Sequence, residues 1–181
     1  MTCVNIPSSS YTRSSKAPRN KYYIRVFATE QDGITTAWEK MIDHRPNASD
    51  YSNFEAECIA LNRTFVLAAL NAYDKSEAVN SFTLNGEKGW YPLEKRVGLR
   101  NSIGIEAEAQ RENTTLFVNG KAIQTTTEKA LSFLRDLELY AIDCNQRTET
   151  HRANINALQT VQEILTYDYT AEYPTKITRD L

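Results

Sequence analysis

Apolar positions along this chain switch between a period of two and a period near 3.6, and each switch marks a new element. From Lys21 to Ala28, Tyr22, Ile24 and Val26 alternate with Tyr23, Arg25 and Phe27. That is a strand with bulk on both faces, which calls for cover on each side. Gln31-Asp32-Gly33 predicts a turn. Ile34 to Ile42, with Trp38 and Met41, fits either a second strand or a short helix, and Pro46 then breaks a loop from His44 to Asp50. Ser52 and Glu55 have the spacing of a capping box. Behind them Phe54, Cys58, Leu61, Phe65, Ala68 and Ala72 recur at intervals of four and three. They share one face, which predicts a helix packed on the core. A second reading of that face is a seam for another subunit, because Ala68, Ala69 and Ala72 would allow close approach. Asp74 to Glu77 end the helix.

The next stretch turns sharply. Phe82 and Leu84 alternate with Ser81, Thr83 and Asn85, and Asn85-Gly86 is the strongest short hairpin signal, since both central residues of a type I′ turn need positive φ. The returning strand, Lys88 to Tyr91, carries Trp90. Pro92 fits the first position of a helix running to about Gln110, with Leu99, Ile103 and Ala107 on one stripe. Gly98 and Gly104 inside it each cost about 1 kcal/mol against Ala, which predicts a closely packed neighbour or a bend. Thr114 to Thr125 form a second hairpin about Asn119-Gly120, expected to join the first in one small sheet. Thr125 and Glu128 cap a helix with Leu131, Leu134, Leu137, Ala141 and Cys144 on its stripe, ending near Asn145. Thr148 caps another, with His151, Ile155 and Leu158 on one face. Thr160 and Glu163 cap a short one through Leu165. The expectation is an α+β fold: a small antiparallel sheet of hairpins packed against several helices, in one domain over residues 21–181.

Residues 1–20 differ. Serines, two prolines and few apolar side chains cannot offset the entropy of ordering, so an extended arm is expected. Docked on a partner, it would use Val4, Ile6 and Tyr11 as anchors and place Arg13, Lys16 and Arg19 on acidic surface. The chain has ten tyrosines. Tyrosine suits interfaces, with a broad ring and a polar tip. Tyr22, Tyr167, Tyr169 and Tyr173, near the two ends, join the arm as interface candidates, although strands also favour tyrosine.

Composition narrows the chemistry. With 181 residues and a net charge of −2, the chain lacks the basic face of a general nucleic-acid binder. No run of about 18 apolar residues predicts a membrane span, and MTCVNIPSSS lacks the apolar core of a signal peptide. Cys3, Cys58 and Cys144 are an odd number without metal-ligand spacing, which predicts reduced thiols. His44 lies near Asp43 and Asp50, so a three-ligand metal site is conceivable, though a surface histidine is the simpler reading. His151 on an apolar stripe reads as a packed, hydrogen-bonded histidine rather than a base. Cys144 and His151, seven residues apart, are a weak dyad candidate. Glu106 and Glu108 are two apart on a helix and so do not face each other. The expectation is no enzyme, and no catalytic, cofactor-binding or metal residue.

Phe82-Thr83-Leu84-Asn85-Gly86, Trp90, Arg96-Val97-Gly98-Leu99 and Asn101-Ser102 resemble a domain family of unknown function found in phage and prophage proteins. The likeness continues through Leu137-Glu138-Leu139-Tyr140-Ala141, His151, Ala157-Leu158, Thr160-Val161, Tyr167 to Ala171 and Tyr173-Pro174, covering about Leu67 to Ile177. The chain departs from the family pattern at Gly120-Lys121, where longer apolar strands are commoner, and at Glu172, where Gly is commoner. That family tends to sit in tail and tail-fibre regions. The resemblance thus implies a tail-associated virion structural or assembly protein, made in the host cytoplasm. Its partners would be other virion proteins or copies of itself, with no membrane or specific nucleic acid. The alternative is an intracellular phage-encoded binding module acting on a host factor.

Overall fold

The computed structural model describes residues 4–5, 21–29 and 33–181. The predicted turn residues Gln31 and Asp32, and the arm candidates Ile6, Tyr11, Arg13, Lys16 and Arg19, lie outside the described residues. The fold is α+β, as the patterning predicts. Where one domain is expected, the chain divides into two compact units: Met1–Leu70 with His151–Tyr169, and Asn71–Thr150 with Thr170–Leu181. No helix among the described residues is long and apolar enough to cross a membrane.

In the first unit, β1 (Val4–Asn5), β2 (Tyr22–Thr29) and β3 (Thr35–Ile42) form an antiparallel sheet in that order. β2 and β3 pair from Tyr22↔Ile42 to Thr29↔Thr35, so the ambiguous segment is a strand. Val4 pairs with Phe27 of the chain's own β2, which puts this residue of the expected arm on the sheet. Ile24, Val26 and Ala28 are buried against Tyr51, Phe54 and Cys58 of α1 (Ala48–Asp74) and Val161 of α4 (Val161–Thr166). The capping box Thr160–Glu163 forms as predicted.

The start of α1 is earlier than Ser52. Asn47 is the cap: its Oδ1 accepts from the Ser49 and Asp50 amides at 2.8 and 3.2 Å, and the Asp50 carboxylate accepts from the Asn47 amide at 2.9 Å. Ser52 instead turns its hydroxyl back to the Ala48 carbonyl at 3.1 Å. The inward line also differs from the expected one. It runs Tyr51, Phe54, Cys58, Asn62, Leu70, leaving Leu61, Phe65, Ala68 and Ala72 exposed. Steps of four advance a line about 40° round a helix, so the buried line winds away from the four-three stripe. Asn62 fits inside because its Nδ2 donates to the Cys58 carbonyl at 2.8 Å.

In the second unit, β4 (Phe82–Leu84) and β5 (Glu87–Gly89) form the first hairpin, and β6 (Asn113–Val118) and β7 (Lys121–Thr126) the second. Both turns have the expected backbone. Asn85 and Gly86 have φ of 48° and 77°, and Asn119 and Gly120 have 47° and 79°. The hairpins do not share a sheet. β8 (Thr178–Arg179) takes the second edge of β4, in parallel, and β6–β7 stand alone. They meet instead through side chains. A Cβ on Gly89 would lie 2.6 Å from Val118 Cγ1, so that strand end needs glycine. Phe82, Leu84, Leu116, Val118 and Ile123 close one core with Ile103 of α2 (Leu93–Glu108) and Phe133, Leu134 and Leu137 of α3 (Thr127–Ala157).

Four further readings change. Of the two readings of Gly98 and Gly104, the close neighbour is not found: a Cβ at either would meet nothing within 4 Å. The α3 cap is Thr126, whose Oγ1 accepts from the Lys129 amide at 3.2 Å. α3 also runs unbroken through Asn145 and Thr148. Thr148 is not a cap. Its hydroxyl is buried, donating to Asp74 Oδ1 at 2.7 Å and bonded to the Tyr173 hydroxyl at 2.8 Å. Glu172 has φ 61°, in the left-handed region that glycine adopts most readily.

Candidate functional site

A groove of about 810 Å³ lies in the second unit. Its floor follows from the first hairpin. β5 ends at Gly89, and the next two side chains point opposite ways, as in any extended segment. Tyr91 goes into the core, where its hydroxyl donates to the Phe117 carbonyl at 3.0 Å and burial pushes its pKa up to about 12. Trp90 stays half-buried and lines the groove. Its ring meets Tyr140 edge-on, with centroids 6.2 Å apart. Tyr140 is itself fixed, donating to the Val79 carbonyl at 2.7 Å, and burial raises its pKa.

Pro92 caps α2, and one turn later Arg96 turns back into the structure, with a side chain only 9% exposed. It donates from Nε to Glu138 Oε2 at 2.6 Å and from Nη1 to the Tyr91 carbonyl at 2.9 Å. The guanidinium carbon lies 5.3 Å from the Trp90 ring centroid. One arginine thus fixes the tryptophan, the start of α2 and the middle of α3. A guanidinium suits that task because its planar fork serves several acceptors at once. Beside this rigid floor stand Leu93 of α2 and Ile142 of α3, exposed by 54% and 43%. Asp74, Lys75, Glu94 and Gln146 add polar lining. The groove thus combines an aromatic floor, two exposed aliphatic side chains and a polar surround.

The residues singled out by sequence lie elsewhere. Val4 is on β1, and Tyr22 opens β2 opposite Ile42, half-buried. Tyr167 is bonded through its hydroxyl to His151 Nδ1 at 2.7 Å and accepts from Asn154 Nδ2 at 3.1 Å. Tyr173 holds Thr148 and packs edge-on to Tyr73, centroids 5.3 Å apart. Tyr169 is half-buried. Tyr167 and Tyr173 therefore direct their polar tips into their own units. His151 is a packed, hydrogen-bonded histidine, as its apolar stripe predicts. Burial raises the Cys144 thiol pKa, which disfavours the nucleophilic thiolate.

His44 joins the cap of α1. Its Nε2 lies 3.0 Å from Asp50 Oδ2 and its Nδ1 3.5 Å from Asp43 Oδ1. The hydrogen bond to Asp50, then that to Asp43, raises the His44 pKa. The Asn47 amide holds the Asp50 carboxyl below its usual range, with His44 adding to that. Among the described residues no group of three or more His, Cys, Asp or Glu side chains is placed to hold a metal ion.

No family model, curated protein or solved structure matches the chain. These comparisons lend no support to the phage-family resemblance. Trp90, Arg96 and Glu138 are among the residues quoted for it, but nothing in their spacing shows that they meet. Leu93 and Ile142 carried no signal at all. Their significance comes from being exposed beside the tryptophan.

Proposed function

We propose that the chain is a non-catalytic protein-contact module that captures an apolar segment of another protein in the Trp90–Leu93–Ile142 groove. In the setting implied by the phage-family resemblance, it would serve as a tail-associated structural or assembly component of the virion. The observation that carries the contact reading is the Arg96-locked tryptophan beside two exposed aliphatic side chains. A preorganised aromatic anchor loses little conformational freedom on binding, which is what binding hot spots share. The engagement of His151 and the burial of Cys144 support a structural rather than catalytic use of those side chains.

The test is co-purification. A tagged chain, and a variant carrying Leu93→Glu with Ile142→Glu, are expressed in a host producing phage particles, and the particles are purified on a gradient. Both positions are exposed, so circular dichroism should not change. The expected result is wild-type chain in the particle fraction and loss of the variant. Groove-dependent capture of a host protein, with no chain in particles, would replace the virion assignment by the intracellular alternative. Equal behaviour of wild type and variant in both assays would overturn the groove reading.

A further inference from the structure

α1 has a second face with no assigned role. Leu61 and Phe65 are 47% and 61% exposed, and Ala68 and Ala72 continue their line, also exposed. Glu57 stands one turn before Leu61 and Lys75 directly follows the helix, both exposed. The line therefore reads acid, large, large, small, small, base.

Such a line complements itself when reversed. We propose that this face of α1 pairs antiparallel with the same face of a second copy of this chain, about a two-fold axis between Val66 and Leu67. Phe65 then lies over Ala68 of the second copy, and Leu61 over its Ala72. A large side chain opposite an alanine lets two helices approach to roughly 8 Å without a void. At the ends, Glu57 of each copy comes beside Lys75 of the other. The Glu57 carboxylate already accepts from Lys40 Nζ at 2.5 and 2.8 Å, and it has further lone pairs for a second ammonium. A parallel pair would set Phe65 against Phe65, glutamate beside glutamate and lysine beside lysine. The charge order thus selects the antiparallel arrangement, an isologous interface that closes at two copies. Lys75 also lines the Trp90 groove, but Leu61, Phe65, Ala68 and Ala72 do not, so the Phe65 and Ala68 variants test the pairing apart from the groove.

Sedimentation equilibrium of the purified full chain tests it. A dimer is expected at micromolar concentration. Phe65→Ala and Ala68→Phe should each weaken the dimer about tenfold or more, which is about 1.4 kcal/mol. The double exchange, Phe65→Ala with Ala68→Phe, should restore it, because the large side chain again meets an alanine. Lys75→Glu, beyond the packed helix, should weaken it without disturbing the fold. A monomeric wild-type chain would overturn the proposal. So would a dimer indifferent to Phe65→Ala and Lys75→Glu, or a double exchange no tighter than either single change.

Discussion

A few side chains set local geometry here, and their roles are those their chemistry dictates. Asn47 caps α1 because its short amide reaches the first free amides, while Asp50 returns the bond and draws in His44. This cap should depend on pH. His44 has a raised folded-state pKa, so its contribution is full below the ordinary value of 6.5 and fades as pH rises through the raised value. Asp50 is lowered, so its contribution holds above the ordinary 3.8 and fades as pH falls through the lowered value. The cap is therefore strongest between about pH 4 and 6.5. In an NMR titration the His44 ring should titrate above 6.5 in the wild type and nearer to it after Asp50→Asn. A wild-type value at or below 6.5 would contradict the arrangement. The hairpin turns were legible at this scale because Asn-Gly needs no distant partner to favour positive φ. The cap was misplaced for the same local reason: Asn47/Asp50 and Ser52/Glu55 both have a three-residue spacing, and only the start of the helix distinguishes them.

At the scale of elements, α2 and α3 are joined by the Arg96–Glu138 pair, whose side chains are 9% and 28% exposed. Removing one partner of a buried pair costs more than replacing both by apolar groups of similar volume. Glu138→Ala, which strands the guanidinium, should cost about 3 kcal/mol in chemical denaturation. Arg96→Met together with Glu138→Leu leaves neither charge stranded and should cost less than half as much. Equal losses would show that the guanidinium is not held as described. This pair was not legible in sequence, since its partners are 42 residues apart. The unbroken course of α3 was hidden differently. Cys144 to Thr150 looks like a polar break, but Thr148 points inward and finds Asp74 and Tyr173. The winding of the buried line on α1 likewise follows from tertiary packing that a four-three pattern does not encode.

Over the whole molecule, each unit has its own core, one built on β2 and α1 and the other on two hairpins clamped by α2 and α3. The α+β class was legible, because periods of two and 3.6 are properties of the elements themselves. The division was not. Each unit is assembled from two separate stretches of chain, and α3 contributes to both. The groove escaped for the same reason, with lining drawn from the end of α1, the first hairpin, α2 and α3. Its role in capturing another protein is the central claim. Site-specific photo-crosslinking in producing cells tests it most directly, with a benzophenone amino acid at Leu93 and, as control, at Ser102, which is exposed about half a turn round α2. The account predicts one discrete adduct from Leu93 and none from Ser102. No adduct at Leu93, or the same adducts from both positions, would contradict it.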